Sequence, residues 1–126
     1  MREILFRGKR RIDSLWLHGD LRQWSETRKG ICDYELRRTI EVYPETVGQY
    51  TGLTDTNGKK IFEGDIVHVH DRLLQCSKPY HEFDGVIEHR DGSFVIVGEI
   101  MTHYRWLDYD VTVLGNIHDN PELLEG

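Results

Sequence analysis

The chain has 126 residues, of which 38% are hydrophobic, 10% aromatic and 30% charged, and its formal net charge is −6. This length suits one compact domain, and the content of aromatic and β-branched residues excludes a disordered chain. The longest strongly apolar run is Phe94 to Val97, and no apolar segment follows the charged start, so we expect a soluble cytoplasmic protein without a membrane span or secretory signal.

The predicted elements are strands, because apolar and polar residues alternate with a period of two. No segment carries the longer period of an amphipathic helix. In chain order, strands are predicted at Glu3–Arg7, Ile12–Leu17, Arg38–Tyr43, Ile66–His70, Gly85–Arg90, Ser93–Val97 and Trp106–Leu114.

Glycine, asparagine and aspartate mark turns between these segments. Asn57-Gly58 and Asp91-Gly92 are strong hairpin signals, because these residues tolerate a positive φ. Asn120 followed by Pro121 predicts a short helical turn near the C-terminus. Residues 22–35 carry no clear pattern, and residues 71–83 are predicted to form an exposed loop. Further turns are predicted at Gly8–Arg11, Gly19–Asp20 and Gly64–Asp65.

Seven or eight short strands separated by turns are typical of an all-β barrel or sandwich. We predict an all-β fold with a small SH3-like or open barrel and a short C-terminal helical turn. Residues 1–126 are predicted to form a single domain. Within it, residues 1–45 form an N-terminal β extension and residues 46–126 form the barrel core.

Three blocks of sequence resemble a known family. They are MREILFR at Met1–Arg7, PETVGQYTGLTDTNGKKIFEGDIV at Pro44–Val67 and VLGNIHDNPELL at Val113–Leu124. In this order they resemble the YopX family of phage and prophage proteins. The resemblance implies a mostly-β protein of temperate phages that lives in the cytoplasm of the bacterial host. It implies no established activity, and the family offers no catalytic or ligand-binding residues to carry over.

Much of the central block is interpreted as backbone structure rather than chemistry. Glycines suit a positive φ or a close approach of two backbones, and Asn or Asp side chains bind local amides in turns. The positions predicted to have this structural role are Gly48, Gly52, Asn57, Gly58, Gly64, Asp65, Gly115 and Asn116.

A metal site is one hypothesis for His68 and His70, which share a face of a predicted strand because they are two residues apart. A catalytic metal needs a third ligand, for which Glu88, His89 and His103 are candidates. Two solvent-facing histidines on a wet strand are the simpler interpretation. The sequence therefore predicts no cofactor, and the two histidines stay the weak metal candidates.

Nucleic-acid binding is a second hypothesis, because the two halves of the chain differ in charge. Residues 1–63 hold 12 basic and 10 acidic side chains, whereas residues 64–126 hold 4 and 12. Trp and Tyr side chains can stack on bases, although the acidic net charge opposes binding. A mixture of both charges over the whole surface is equally consistent with these counts. The candidate residues are Arg10, Arg11, Arg37, Arg38, Trp16 and Trp24.

Catalytic motifs are missing from the sequence. The serines lie in no Gly-x-Ser-x-Gly elbow, and the glycines form no phosphate-binding loop. Cys32 and Cys76 are predicted to be free thiols, and Cys76 beside Lys78 and His81 is the sole candidate for a reactive one. We therefore expect a protein that is not an enzyme.

The function predicted first is that of a phage or prophage accessory protein that assembles with itself or binds a phage or host protein. Exposed edge strands of an open β domain support it, as do charged halves that complement each other when copies meet. The alternatives are a nucleic-acid-binding barrel and a metal-dependent enzyme centred on His68 and His70.

Overall fold

The structure, a computed structural model, describes residues 4–71, 82–99, 101–106 and 109–124. Within these ranges the chain forms strands and two short 3₁₀ turns, which confirms the all-β prediction and the C-terminal helical turn. The strands are β1 Phe6–Lys9, β2 Trp16–Gln23, β3 Lys29–Asp33, β4 Arg38–Val42, β5 Gly48–Thr54, β6 Lys60–Phe62, β7 Asp65–Asp71, β8 Glu82–Arg90, β9 Ser93–Gly98, β10 Thr102–His103 and β11 Tyr109–Asn116. The 3₁₀ turns are Pro44–Thr46 and Pro121–Leu124.

The strands form two antiparallel sheets, ordered β4-β3-β2-β1-β5-β6 and β10-β9-β8-β7-β11. The chain divides into two compact units at residues 1–52 and 53–126. The SH3-like description and the predicted boundary at residue 45 stay predictions. Within the described residues, no helix has the length and apolar composition needed to cross a membrane.

The first unit curls its strands around a small core. Its first and fourth strands meet at an isolated bridge between Arg10 and Val42, and the amide of Tyr43 donates to the carbonyl of Lys9 at 2.8 Å. The inward side chains are aliphatic, as the period of two requires. They are Leu17, Ile31 and Val42, with Phe6, Leu21, Ile40 and Val47 packed against them.

The second unit builds its core mainly on the inward face of the five-stranded sheet. The buried residues are Ile61, Val67, Val69, Ile87, Ile96, Trp106 and Val111. The Trp106 indole donates a hydrogen bond to the carbonyl of Phe94 at 3.0 Å, which satisfies the one polar atom of this buried ring. A register shift between Val113 and Gly115 bends β11 at its end.

Three local predictions in the first unit are wrong. The turn predicted at Gly8–Arg11 begins later, because Gly8 and Lys9 belong to β1 and pair with Leu17 and Trp16. The strand predicted from Ile12 begins instead at Trp16, because the Asp13 carboxylate accepts the Leu15 amide at 3.1 Å and closes a turn. The turn predicted at Gly19–Asp20 lies inside β2, where Gly19 pairs with Phe6 and Asp33. A Cβ at position 19 would collide with the carbonyl oxygen of Cys32, so this glycine permits close strand approach rather than a turn.

The unpatterned residues 22–35 contain a strand that the sequence did not predict. In β3 the inward positions are Lys29, Ile31 and Asp33, so apolar alternation is interrupted at both ends. Asp33 is buried there because its carboxylate accepts backbone amides, including those of Glu35 at 2.9 Å and Leu36 at 2.8 Å. These hydrogen bonds allow a charged residue to be buried at this position. They cannot be inferred from the alternation of apolar and polar residues.

Candidate functional site

The turn between β5 and β6 depends on Asp55, a residue that the sequence analysis did not single out. Its carboxylate accepts the amides of Asn57 and Lys59 on one oxygen and the amide of Val113 on the other, each at 2.9 Å. Burial raises the pKa of Asp55, but the amides of Val113, Lys59 and Asn57 together hold it below its ordinary value. This side chain therefore joins a turn to β11 and has its acceptor atoms engaged by backbone.

The predicted turn positions occupy bends and strand ends in the structure. A positive φ occurs at Gly52, Gly58 and Gly64, at 90°, 80° and 91°. Gly48 lies in β5 opposite Arg7. In the turn that contains Gly58, the Asn57 amide donates to the Asp55 carboxylate at 2.9 Å.

Asp65 and Asn116 act as turn caps, and Gly115 allows a close contact. The Asp65 carboxylate accepts the Phe62 amide at 2.8 Å, and the Asn116 side-chain oxygen accepts the amides of His118 and Asp119 at 3.0 and 2.9 Å. A Cβ at Gly115 would collide with the Asn120 side chain. Hydrogen bonds of this kind hold backbone shape.

His68 lies between two carboxylates on β8. Its Nδ1 is 2.7 Å from Asp84 Oδ1, and its Nε2 is 3.0 Å from Glu82 Oε1. The Asp84 hydrogen bond, reinforced by Glu82, raises the pKa of His68 against the opposing effect of burial. Both ring nitrogens are thus engaged in a cross-strand bridge between β7 and β8.

The arrangement around His68 and His70 does not support the metal hypothesis, because both ring nitrogens of His68 contact carboxylates. His70 shares the His68 face, opposite Glu82 and Asp110. The proposed third ligands contact other groups: Glu88 pairs with Arg90, His89 packs against Phe94, and His103 stacks on Phe83. Across the ranges that the structure describes, no three His, Cys, Asp or Glu side chains are arranged to hold a metal ion.

His103 and Tyr109 form a partly buried pair in the second unit. The ring centroids of His103 and Phe83 lie 4.4 Å apart, and His103 Nδ1 is 3.1 Å from the Tyr109 hydroxyl. Burial lowers the pKa of His103 and raises that of Tyr109. A nearby pocket of about 170 Å³ is lined by Leu53, Thr54, Asp55, Thr56, Ile61, Trp106, Tyr109 and Val111.

The two histidines are expected to titrate in opposite directions from the ordinary histidine value of ~6.5. His68 gains carboxylate partners on folding, so its stabilising contribution is complete below that value and is lost as pH rises through its raised pKa. Burial lowers the pKa of His103, so the stability that its neutral form provides is complete above ~6.5. That stability is lost as pH falls through the lowered pKa. Proton NMR titration measures both. A His68 midpoint at or below that of His103 would contradict the bridge.

One face of the first unit gathers cations and tryptophans. In the register of β1 and β2, Arg7 is opposite His18 and Lys9 opposite Trp16, so these side chains share the face opposite the core, where Arg7 is buried. The Arg7 guanidinium lies 4.7 Å and the Lys9 ammonium 5.5 Å from the Trp16 ring. We call this surface the basic–aromatic face; it comprises Arg7, Lys9, Trp16, Arg22, Trp24 and Arg28.

The second tryptophan, Trp24, lies on the same face directly after the end of β2. The Trp24 ring lies against Gly30, where an added Cβ would be 2.8 Å from it, and Gly30 is opposite Arg22 in the register. Arg28 lies 5.4 Å from the Trp24 ring centre and pairs with Glu41 at 3.1 Å. Trp24 itself remains 54% exposed.

The four arginines proposed with these tryptophans lie at other places. Arg10 pairs with Asp13, and Arg11 lies 4.9 Å from the Tyr43 ring. Arg37 has a positive φ of 58° before β4, and Arg38 begins that strand opposite Asp33. Sequence reasoning missed the cations recorded over the tryptophan rings, Arg7, Lys9 and Arg28. The two-residue spacing of Arg7 and Lys9 was the available signal, but the predicted strand ends at Arg7 and Lys9 falls in the predicted turn Gly8–Arg11.

Two short segments each expose more than one aliphatic side chain, while Ile4 and Leu36 are exposed singly elsewhere. The first, which we call the turn segment, is residues 10–15, where Ile12 is 85% exposed and Leu15 is also exposed. The second, the C-terminal segment, is residues 114–124, which exposes Leu114, Ile117, Leu123 and Leu124. Cys76, Lys78 and His81, the proposed reactive group, lie outside the described residues.

Comparison with known proteins places the chain in a family. No curated protein matches the sequence. Among solved structures, that of protein EF1440 from Enterococcus faecalis is similar, with a TM-score of 0.54 and 23% sequence identity over 99% of this chain and 100% of that one. The YopX protein family model matches residues 5–125. Since this match covers nearly the whole sequence, the chain belongs to the YopX family.

Proposed function

We propose that the chain is a non-catalytic accessory protein of a phage or prophage, and that it acts by assembling with further copies of itself. The observation that carries this proposal is the group of four exposed aliphatic side chains in the C-terminal segment. Isolated exposed aliphatics are ordinary on a monomer, but a group within one short segment is typical of an interaction surface. The resemblance of the three sequence blocks to the YopX family of phage and prophage proteins supports the biological setting.

The turn segment is the surface that best complements the C-terminal segment. It also exposes aliphatic side chains, and it contains Arg10 and Arg11 against one acid, Asp13. The C-terminal segment contains Asp119 and Glu122. A contact between the turn segment of one copy and the C-terminal segment of the next would bury apolar groups and pair opposite charges. Such a head-to-tail contact generates rings when its rotation closes.

The non-catalytic part of the proposal rests on the hydrogen bonds made by the ionisable side chains of His68 and Asp55. His68 uses both ring nitrogens to bridge carboxylates, and Asp55 uses both oxygens to hold backbone amides. Groups engaged in this way stabilise strand pairing and turns. Asp55, Asp65 and Asn116 of the family blocks therefore serve the shape that presents the assembly surfaces.

Light scattering at low and high salt tests the assembly surfaces. Ile12→Asp, and separately the pair Leu123→Asp and Leu124→Asp, are expected to reduce the mass to that of a monomer, because each places a charge in a buried apolar contact. The matched control is Leu36→Asp, at an exposed leucine outside both segments. A control variant that dissociates as fully as Ile12→Asp would contradict the assigned surfaces, as would unchanged masses in both test variants.

A further inference from the structure

We propose that the basic–aromatic face of the first unit binds single-stranded nucleic acid. This activity goes beyond self-assembly and uses a different surface. The register of β1 and β2 places Arg7, Lys9, Trp16 and Arg22 on one side of the sheet, while Leu17, Leu21 and Ile31 point into the core. Trp24 and Arg28 lie in the turn after β2, where the Trp24 ring rests against Gly30 of β3 and Arg28 lies beside that ring.

The two tryptophans are suited to stacking on bases. Trp24 is seated against the backbone at Gly30, where a larger residue would displace its ring, and about half of its surface is open to solvent. Trp16 is half-buried and held beside Arg7 and Lys9. Aromatic rings supported in this way stack with unpaired bases, and each such contact contributes ~1–3 kcal/mol. Bases inside a duplex do not offer their faces, which favours a single strand.

The charge around the tryptophans fits a phosphate backbone. Lys9, Arg22 and Arg28 are the cations of the face with solvent-accessible side chains, whereas Arg7 is buried. Two acids lie on the same side of the sheet: Asp20 accepts the Tyr34 hydroxyl at 3.0 Å and keeps its charge, and Glu41 pairs with Arg28, so a phosphate has to replace Glu41 as the partner of Arg28. Residues 1–52 carry ten basic and eight acidic side chains, and residues 53–126 carry six and fourteen. The unit that bears the face is therefore the one with a positive net charge.

Fluorescence anisotropy with labelled oligothymidylate and oligouridylate of about 12 nucleotides tests the proposal, with a hairpin duplex as the third probe. Three phosphate contacts predict that the association constant falls about 20-fold between ~50 and ~200 mM salt. Comparing the two single strands distinguishes DNA from RNA. All measurements use the Ile12→Asp background as well as the unmodified chain, so that a failure of self-assembly and a failure of nucleic-acid binding give separate results.

Two pairs of variants locate the binding surface. Replacing Arg22 and Arg28 together by glutamine is expected to weaken binding at least ~10-fold and to flatten the salt dependence. The same change at Arg37 and Arg38, which lie off the face, is expected to alter binding less than ~2-fold. Trp24→Ala is expected to weaken binding ~10-fold, and Tyr104→Ala, an exposed aromatic of the other unit, to leave it unchanged.

Four outcomes would overturn the proposal. The first is no anisotropy change with either single strand at ~50 mM salt, where electrostatic binding is strongest. The second is an equal loss from both arginine pairs, which would indicate diffuse attraction. The third is a duplex that binds as tightly as the single strands. The fourth is displacement of the oligonucleotide by polyglutamate at equal charge, which would assign the face to an acidic protein.

Discussion

Asp55→Ala is expected to lower the free energy of unfolding by about 3 kcal/mol or more. The carboxylate of Asp55 is 8% exposed and accepts three backbone amides, those of Asn57, Lys59 and Val113. Alanine would leave these donors without their acceptor and would detach the β5–β6 turn from β11. Asn57-Gly58 alone cannot hold that connection, because its turn geometry is local and Val113 is distant in sequence.

Urea denaturation measures this effect, with Asp13→Ala as the matched control. Asp13 also accepts a backbone amide, and it pairs with Arg10, but it lies on the surface, so its loss is expected to cost much less than the loss of Asp55. Asp55→Asn keeps one acceptor oxygen and should fall between the two. If Asp55→Ala and Asp13→Ala shift the midpoint equally, the bridging role of Asp55 is wrong.

The Asp55 effect is also expected to depend on pH. The pKa of Asp55 lies below its ordinary value, so the stability that the ionised form provides is present above the unfolded value of ~3.9. It is lost as pH falls through the lowered pKa of the folded state. The difference between the unmodified chain and Asp55→Ala should therefore keep its size above about pH 5 and shrink as the pH falls below about 4. A constant difference would show that the carboxylate charge plays no part.

Ile87→Ala is expected to cost about 3 kcal/mol. Ile87 is 0% exposed in β8, lies opposite Ile96 in the register, and belongs to the core of the second unit. Truncation removes buried methyl and methylene groups and leaves a cavity between β8 and its neighbours, which the paired strands cannot close.

Thermal unfolding of Ile87→Ala beside Ile4→Ala isolates the contribution of burial. Ile4 is 64% exposed, and the same truncation there is expected to change stability by less than ~0.5 kcal/mol. The expected decrease in Tm for Ile87→Ala is on the order of 10 °C. Equal melting temperatures for the two variants would contradict the assigned direction of the β8 side chains.

Alternation and turn residues were sufficient to predict most of the second unit. Asp91-Gly92 has the positive φ values of a tight hairpin, and the strand predicted at Ser93–Val97 is observed as β9, Ser93–Gly98. The first unit was less predictable. From the local sequence, Gly19 is predicted to form a turn. In the structure its lack of a side chain lets β3 approach closely, which depends on a partner strand that the local sequence does not identify.

The candidate site was predictable in its aromatic part and not in its cations. Trp16 and Trp24 lie on one face, as a binding surface requires. Arg7 and Lys9 reach Trp16 from β1, and Arg28 reaches Trp24 across the turn after β2. Which cation meets Trp16 therefore depends on the register between β1 and β2. The role of Asp55 was not predicted because its partner Val113 is distant in sequence and lies near Asp55 only in the folded protein.

The mass of the unmodified chain in solution tests self-assembly most directly. Native mass spectrometry across a range of concentrations and salt is expected to give a defined multiple of 14.9 kDa that dissociates as salt rises, because opposite charges contribute to the contact. A single species of 14.9 kDa at every concentration, including low salt, would contradict the account.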